Sequence, residues 1–410
     1  MKKILLTIVF LLGFATQAHA AFPGVGASYG YCQKWTMTAG GDVGGVATTT
    51  TAGFTLWATT TDANLAATSS SGHIQLYNYA SSTPTDFILT SGTDCKTDAG
   101  SIISPIWDSY SSTTGQIAVG MAAPDISSTT SKTVLAYYGY VSDSDHVGSF
   151  SGSGLLGFWP FGTSTTNWPL LKTWDVSTAQ AHGTLTNMAG PNNTVPGMIG
   201  SALNFDGVND TVNMGDVNSF NALAAYTFSA WIYPVGFGGS GLGRIIDKRN
   251  NGSTGFQFYV ASSAAGKANT LAVNHDGATA VVADNNTVVL NTWQYVTATF
   301  HGSTVCFYKN GALVISCSSY SAPSANTVAL NIGNMTAGTR GFNGYIDNLS
   351  AFNIALDPMD VLTMYNNTSN SAVFWTFGAV ETPSGGVTPP SSAQFWSWLS
   401  TKIYTNLRIY

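Results

Sequence analysis

Carboxylates are the residues in this chain best suited to chemistry, and their distribution is lopsided. Of twenty acidic residues, a single one is Glu, Glu381, in a Pro/Gly-rich stretch near the C-terminal end. Cleaving a glycosidic bond takes two carboxyl groups flanking it, one as acid and one as base or nucleophile. Residues 21–370 contain no Glu, and no spacing nominates a pair of Asp for that work. The same scarcity removes a His-Glu-x-x-His zinc site. His73, His146, His182, His275 and His301 are scattered, and His182 and His301 read as surface turn residues rather than bases. The reading is a protein without catalytic residues. Asp206 and Asp210, in Phe-Asp-Gly-Val-Asn-Asp, read first as turn residues whose side chains accept from nearby backbone N–H groups.

The thiols come next. After the first twenty residues the cysteines are Cys32, Cys95, Cys306 and Cys317. An even number in an oxidising compartment points to disulfides, and nearness in sequence pairs Cys32 with Cys95 and Cys306 with Cys317. The second pair lies on either side of the turn of a hairpin that runs from Thr292 to Ser316. Val296, Ala298 and Phe300 recur at every second position, Val305 and Phe307 share one face, and Cys306 and Tyr308 share the other. Asn310-Gly311 is the signal for a type I′ turn. A two-residue loop there puts Tyr308 opposite Leu313 and leaves the cysteines diagonal, roughly 7–8 Å apart and long for a disulfide. A four-residue loop from Asn310 to Leu313 puts them directly opposite. Both registers stay open at this point.

The elements around these residues are expected to fold outside the cytoplasm. Lys2-Lys3, the apolar run Ile4 to Phe14 and Ala18-His19-Ala20 form a signal peptide over residues 1–20, too short in its apolar part to span a membrane. The exported protein is placed in the extracellular space, at the cell surface or in the periplasm. Losing Lys2 and Lys3 takes fourteen basic residues to twelve, against twenty acidic, for a net charge near −8. That excludes the basic footprint of a nucleic-acid binder. With 8% charged and 44% hydrophobic residues, solubility rests on Ser, Thr, Asn and Gly, and global disorder is excluded.

Strand-length apolar runs bounded by turn formers fill the chain. In residues 21–149 they are Phe54 to Trp57, His73 to Tyr77, Ile117 to Val119 and Val134 to Tyr138. Ser149 to Gly154 marks a boundary. Residues 150–370 carry further strands, including Phe228 to Ile232, Gly255 to Val260 and Gly344 to Leu349, and end in a short helix from Asp357 to Tyr365 with Pro at its first position. The fold class is all-β, two tandem β-sandwich domains. Residues 371–393 read as a linker, and 394–410 as an amphipathic C-terminal tail through which alone membrane contact is expected.

The second region resembles the laminin-G-like jelly roll of the concanavalin A-like lectin/glucanase superfamily, in its bacterial secreted form. The pieces that carry the resemblance are Leu156 to Phe161, Asp175 to Leu185, Gly200 to Val212, Phe228 to Pro234, Trp293 to Gly311, Asn331 to Asn334 and Gly341 to Ala355. The first region is similar to an uncharacterised bacterial β-domain often found before this jelly roll, through Phe54 to Trp57, Ile74 to Tyr77 and Tyr137 to Tyr140. The resemblance implies calcium as a cofactor to test, with Asp206, Asp210, Asp175 and Asp347 as the metal candidates. It also implies hydrolysis as an activity to weigh, which the missing Glu opposes. Pentraxin relatives hold two calcium ions through an acidic cluster, but the matching stretch here, Gly333 to Phe342, has no acid.

The function expected is non-catalytic recognition, with a polysaccharide or cell-surface glycan as partner. A structural or adhesive cell-surface role is the second reading, and a glycan hydrolase the third. Of the aromatics suited to stacking on sugars, Trp231, Tyr233, Phe256, Phe258 and Tyr259 lie in expected strands. Alternation sends at least half of them inward, so no binding set follows from sequence.

Overall fold

Period-two patterning builds nearly everything here. In the strand Ala225–Gly236, Phe228, Ala230 and Ile232 point to one side and Ser229, Trp231 and Tyr233 to the other. The same split recurs in Gln294–His301 and Thr304–Lys309, whose Val296, Ala298, Phe300, Val305 and Phe307 join one core. Opposite them, Gly255–Ala264 and Lys267–His275 contribute Phe256, Phe258, Val260, Leu271 and Val273. Two nine-stranded antiparallel sheets close on this core, as expected of a jelly roll. The first contains Ser201–Asp206, Asn343–Phe352, Ala225–Gly236, Gln294–His301 and Thr304–Lys309 side by side; the second contains Arg244–Arg249, Gly255–Ala264 and Lys267–His275.

The computed structural model describes residues 29–37, 49–50, 55–74, 77–78, 83–84, 86–97, 100–122, 126–127, 131–140, 154–249 and 253–382. The stretches read as signal peptide and C-terminal tail, and most of the expected boundary, lie outside these residues.

The hairpin takes one feature from each register left open by its sequence. Tyr308 faces Leu313 and Lys309 faces Ala312, so the loop is the two residues Asn310 and Gly311, at φ 51° and 77°. Farther along, Val305 faces Ser318 and Thr304 faces Ser319, a register shifted by two. The extra residues are absorbed between Val314 and Cys317. Cys306 and Cys317 thereby come opposite each other, Cα atoms 4.4 Å apart, and are bonded. Cys32–Cys95 is the second disulfide.

The first region folds as a five-stranded sheet and a three-stranded sheet that share a core of Trp35, Leu56, Phe87, Trp107, Val119 and Tyr138. The edge strand of the larger sheet corrects the sequence reading. Residues 371–374 are a helical turn, and Trp375–Glu381, read as linker, is a strand paired with Tyr31–Met37. Trp375 is buried in that core, and Glu381, far from floating in a linker, pairs with Lys96 at 3.1 Å. The helix also runs longer than expected, Pro358–Ser369, with the Asp357 side chain accepting from Met359 N and Asp360 N.

That helix lies between the two regions and ties them. Its Val361 and Met364 share one buried cluster with Trp35 and Trp107 of the first region and with Trp231, Tyr295 and Tyr308 on the outward face of the jelly roll. Asn367 grips the backbone of Trp57, accepting from its N–H at 2.7 Å and donating to its carbonyl at 2.9 Å. Trp375 Nε1 donates to the same carbonyl, and Trp231 Nε1 donates to Thr368 Oγ1. A second contact packs Trp57, Ile106 and Ala118 on Phe158 and Ile199.

Candidate functional site

The four aspartates named as metal candidates all bind backbone. Asp175 Oδ1 accepts from Phe158 N and Ser177 N, and Oδ2 from Ala181 N. Asp206 Oδ1 takes Val208 N, Asn209 N and Asp210 N, the Asx turn read from the sequence. Asp210 Oδ2 accepts from Asp206 N and Asn193 Nδ2, and burial with the Asp206 charge pushes its carboxyl up to about 6. Asp347 Oδ2 accepts from Met198 N and Ile199 N. These hydrogen bonds fix each carboxylate to its own turn, and the four turns are separate. Among the described residues no group of three or more His, Cys, Asp or Glu converges.

A carboxyl pair does form that spacing could not show. Asp108 in Ile106–Tyr110 of the first region and Asp347 of the jelly roll feel each other's charge and grip one turn, Met198 to Ser201, from two sides. Both are fully buried. Burial raises both, Asp347 to about 8, and the charge of Asp347 raises Asp108 further. Sealed from solvent, the pair cannot flank a polysaccharide chain.

Among the described histidines, His275 and His182 are held by fold contacts. His275 is buried, with Nδ1 against Ser321 O and Nε2 against Tyr226 OH, and burial lowers its pKa. His182 accepts from Asp175 N and sets its ring edge on Trp174, so it belongs to the Asp175 turn. His301 is exposed at a strand end, His73 stacks on Tyr31 at 3.8 Å, and His146 lies outside the described residues.

What remains for recognition is a row of rings. Trp231, Phe256, Phe258 and Tyr259 are buried, but Tyr233 is half exposed. It lies on the outward face of the first jelly-roll sheet, one row beyond the part covered by the helix. There Tyr233 faces Tyr345 across strands, and Asn204 follows Tyr345. The Tyr233 and Tyr345 rings stack, centroids 5.2 Å apart and planes 15° from parallel. Trp293, two residues before Tyr295 on the same face, meets Tyr233 edge-on at 5.6 Å and Tyr345 at 6.2 Å. All three rings are half exposed, and Val235 and Leu290 are exposed beside them. Sequence alternation could place Trp231 and Tyr233 on one face. It could not say that a helix from residue 358 onward covers the first and stops short of the second.

Residues 206–362 match the family model of the concanavalin A-like lectin/glucanases superfamily. The strands Leu155–Trp159 and Gly183–Thr186 precede that match yet belong to the same two sheets. No curated protein matches the chain. Among solved structures it is similar to the binding domain of Paraclostridial mosquitocidal protein 1, at 13% identity and TM-score 0.37 over 52% of each chain. It is similar to domain 4 of an extracellular arabinanase from Geobacillus stearothermophilus, in complex with arabinotriose, at 16% identity and TM-score 0.42 over 52% of this chain and 98% of that one. It is also similar to a heptameric pentraxin from Limulus polyphemus, at 16% identity and TM-score 0.30 over 42% and 75%. At these identities the likeness is one of fold.

Proposed function

We propose that the protein is an exported, non-catalytic recognition protein that binds a polysaccharide or cell-surface glycan. The carrying observation is the half-exposed row Tyr233, Trp293 and Tyr345. Ring faces carry negative partial charge and present flat apolar area to the C–H faces of sugar rings, while neighbouring amides such as Asn204 supply hydrogen bonds. The two disulfides suit an oxidising compartment outside the cytoplasm. The burial of Asp108 and Asp347, with Glu confined to position 381, supports binding without turnover. Val235 and Leu290 beside the rings favour the second reading, adhesion through a protein contact.

A glycan array followed by affinity electrophoresis in soluble polysaccharides tests this. The protein should be retarded by at least one polysaccharide and release no reducing sugar. Tyr345→Ala and Trp293→Ala should each weaken retention about tenfold, or 1.4 kcal/mol, with thermal unfolding checked in parallel. Sugar release that survives repurification and vanishes on changing one Asp would make the protein a hydrolase. Retention unaltered in both variants would remove the ring row from the site.

A further inference from the structure

A lysine on the inward side of a core strand is costly to bury and has to be held by partners. Lys248 is such a lysine. Period two puts it on the same side of Arg244–Arg249 as Ile246, which belongs to the jelly-roll core. Phe256, another core residue, faces Lys248 on the next strand. Lys248 is 1% exposed. Its Nζ donates to Asp216 Oδ1 at 2.7 Å and to Val328 O at 2.8 Å. It also lies 3.5 Å from Asn326 O and 3.5 Å from Asn326 Oδ1.

The Asn326 carboxamide beside that amine is clamped at both ends. Its Oδ1 accepts from Val328 N at 3.1 Å. Its Nδ2 donates to Lys248 O at 3.0 Å and to Thr254 O at 3.1 Å. Its backbone N–H donates to Asn221 Oδ1. Room for Nδ2 exists because residue 255 is Gly, at φ 100°: a Cβ there would sit 2.2 Å from Nδ2. These parts match the roles of an aminolysis site. The Lys248 amine is the nucleophile, and the Asp216 carboxylate, part-exposed and in contact with it, is the base. Val328 N–H points at the oxygen where negative charge would develop. Two carbonyls surround the nitrogen that would leave as a cation. The carbon to be attacked is one C=O bond, about 1.2 Å, from Oδ1, so a side-chain shift of that order brings it to the amine.

We propose that Lys248 and Asn326 join in an intramolecular isopeptide bond. Asp216 takes one proton from the Nζ ammonium, and the freed lone pair attacks Asn326 Cγ. The Cγ–Nδ2 bond then breaks. A second Nζ proton and the one held by Asp216 go to the departing nitrogen, which leaves as ammonium. The third proton stays on the new amide, so the step needs no oxidant, cofactor or co-reactant. The bond ties the strand Arg244–Arg249 to the loop between Ser319 and Asn331, across 78 positions of chain. Both disulfides lie elsewhere, so this edge of the second sheet gains its own covalent tie. The inference is independent of the glycan reading.

The test is the intact mass of the reduced, purified full chain, compared with the mass its observed N-terminus predicts, followed by peptide mapping. Expected is a chain lighter by one ammonia, no tryptic cut after Lys248, and one branched peptide joining the segments that carry Lys248 and Asn326. Asp216→Asn, which removes the base, should return the full mass and abolish the branched peptide. Lys248→Met and Asn326→Ala should do the same, and should Lys248→Met fold poorly, Asn326→Ala on its loop gives the same reading. Asn310-Gly311 offers another route to loss of ammonia, by ring closure on its own backbone, so a lighter chain without the branched peptide overturns the proposal. A wild-type chain that keeps its full mass after prolonged incubation at neutral pH also overturns it.

Discussion

Gly311 shows how one residue answers to two parts of the molecule. Its φ of 77° already disfavours a β-branched side chain. The fold adds a second reason, because a Cβ there would sit 2.7 Å from Leu362 Cδ1 and 3.2 Å from Leu362 Cα on the interdomain helix. Gly311→Val is therefore expected to cost about 1–3 kcal/mol, seen as a lowered midpoint in thermal unfolding. A midpoint equal to wild type would mean that neither turn nor helix contact matters. The turn itself was legible, because Asn-Gly between alternating runs has few other meanings. Asn310 reinforces it by accepting from Tyr295 N through Oδ1 and donating its own N–H to Tyr295 O. The clash with Leu362 was not legible, since it depends on a helix about fifty residues later. The site rings follow the same rule: Tyr233 stood among the sequence candidates, while Trp293 and Tyr345 gain meaning only when three strands align them.

At the scale of elements, the strands and their faces follow from period two, and the helix start from Asp357-Pro358. The last strand was missed. Trp375–Glu381 carries Gly378 in its middle and runs into Thr-Pro-Ser-Gly-Gly, so its composition reads as linker. Its partner strand lies some 340 residues earlier, as the contact of Gln33 Nε2 with Gly378 O, 345 residues apart, illustrates. Local pattern cannot anticipate such closure. The helix just before it is the clasp, and its key contact is testable. Asn367 satisfies both backbone groups of buried Trp57, so Asn367→Ala leaves an N–H and a carbonyl with fewer partners. The expected cost is about 1–3 kcal/mol, with faster amide exchange concentrated in Thr55–Thr61 and Pro358–Ser369. Exchange raised evenly across the jelly roll instead would argue that the clasp does not act locally.

For the whole molecule, the shared cluster running from Trp35 through the helix to Tyr308 predicts that first region and jelly roll unfold together rather than as two tandem beads. The buried carboxyls give that transition a pH dependence. Asp347 is raised to about 8 and Asp108 is raised as well, and Asp108 Oδ1 makes no hydrogen bond among the described residues, which suits a neutral carboxyl. In the unfolded chain both would titrate near 3.9. The folded state then keeps protons that the unfolded state has released, so their contribution is complete below about pH 4 and is lost as pH rises through about 8. The raised carboxyls of Asp210, Asp247 and Asp360, at about 6, act in the same direction at lower pH. The lowered His73 and His275 act in the opposite direction, around and below their ordinary 6.5. Between pH 7 and 9 the histidines are mostly neutral in both states, so among the carboxyls the interdomain pair dominates, while Lys309, lowered by burial, acts in the opposite direction toward the upper end. Thermal unfolding should remain a single transition whose midpoint falls across that window. Asp347→Asn, which cannot ionise, should flatten the fall, whereas Asp206→Asn should not. A midpoint that rises from pH 7 to 9 would show that the N–H groups of Met198, Ile199 and Ser201 hold both carboxyls as anions, with burial the weaker effect.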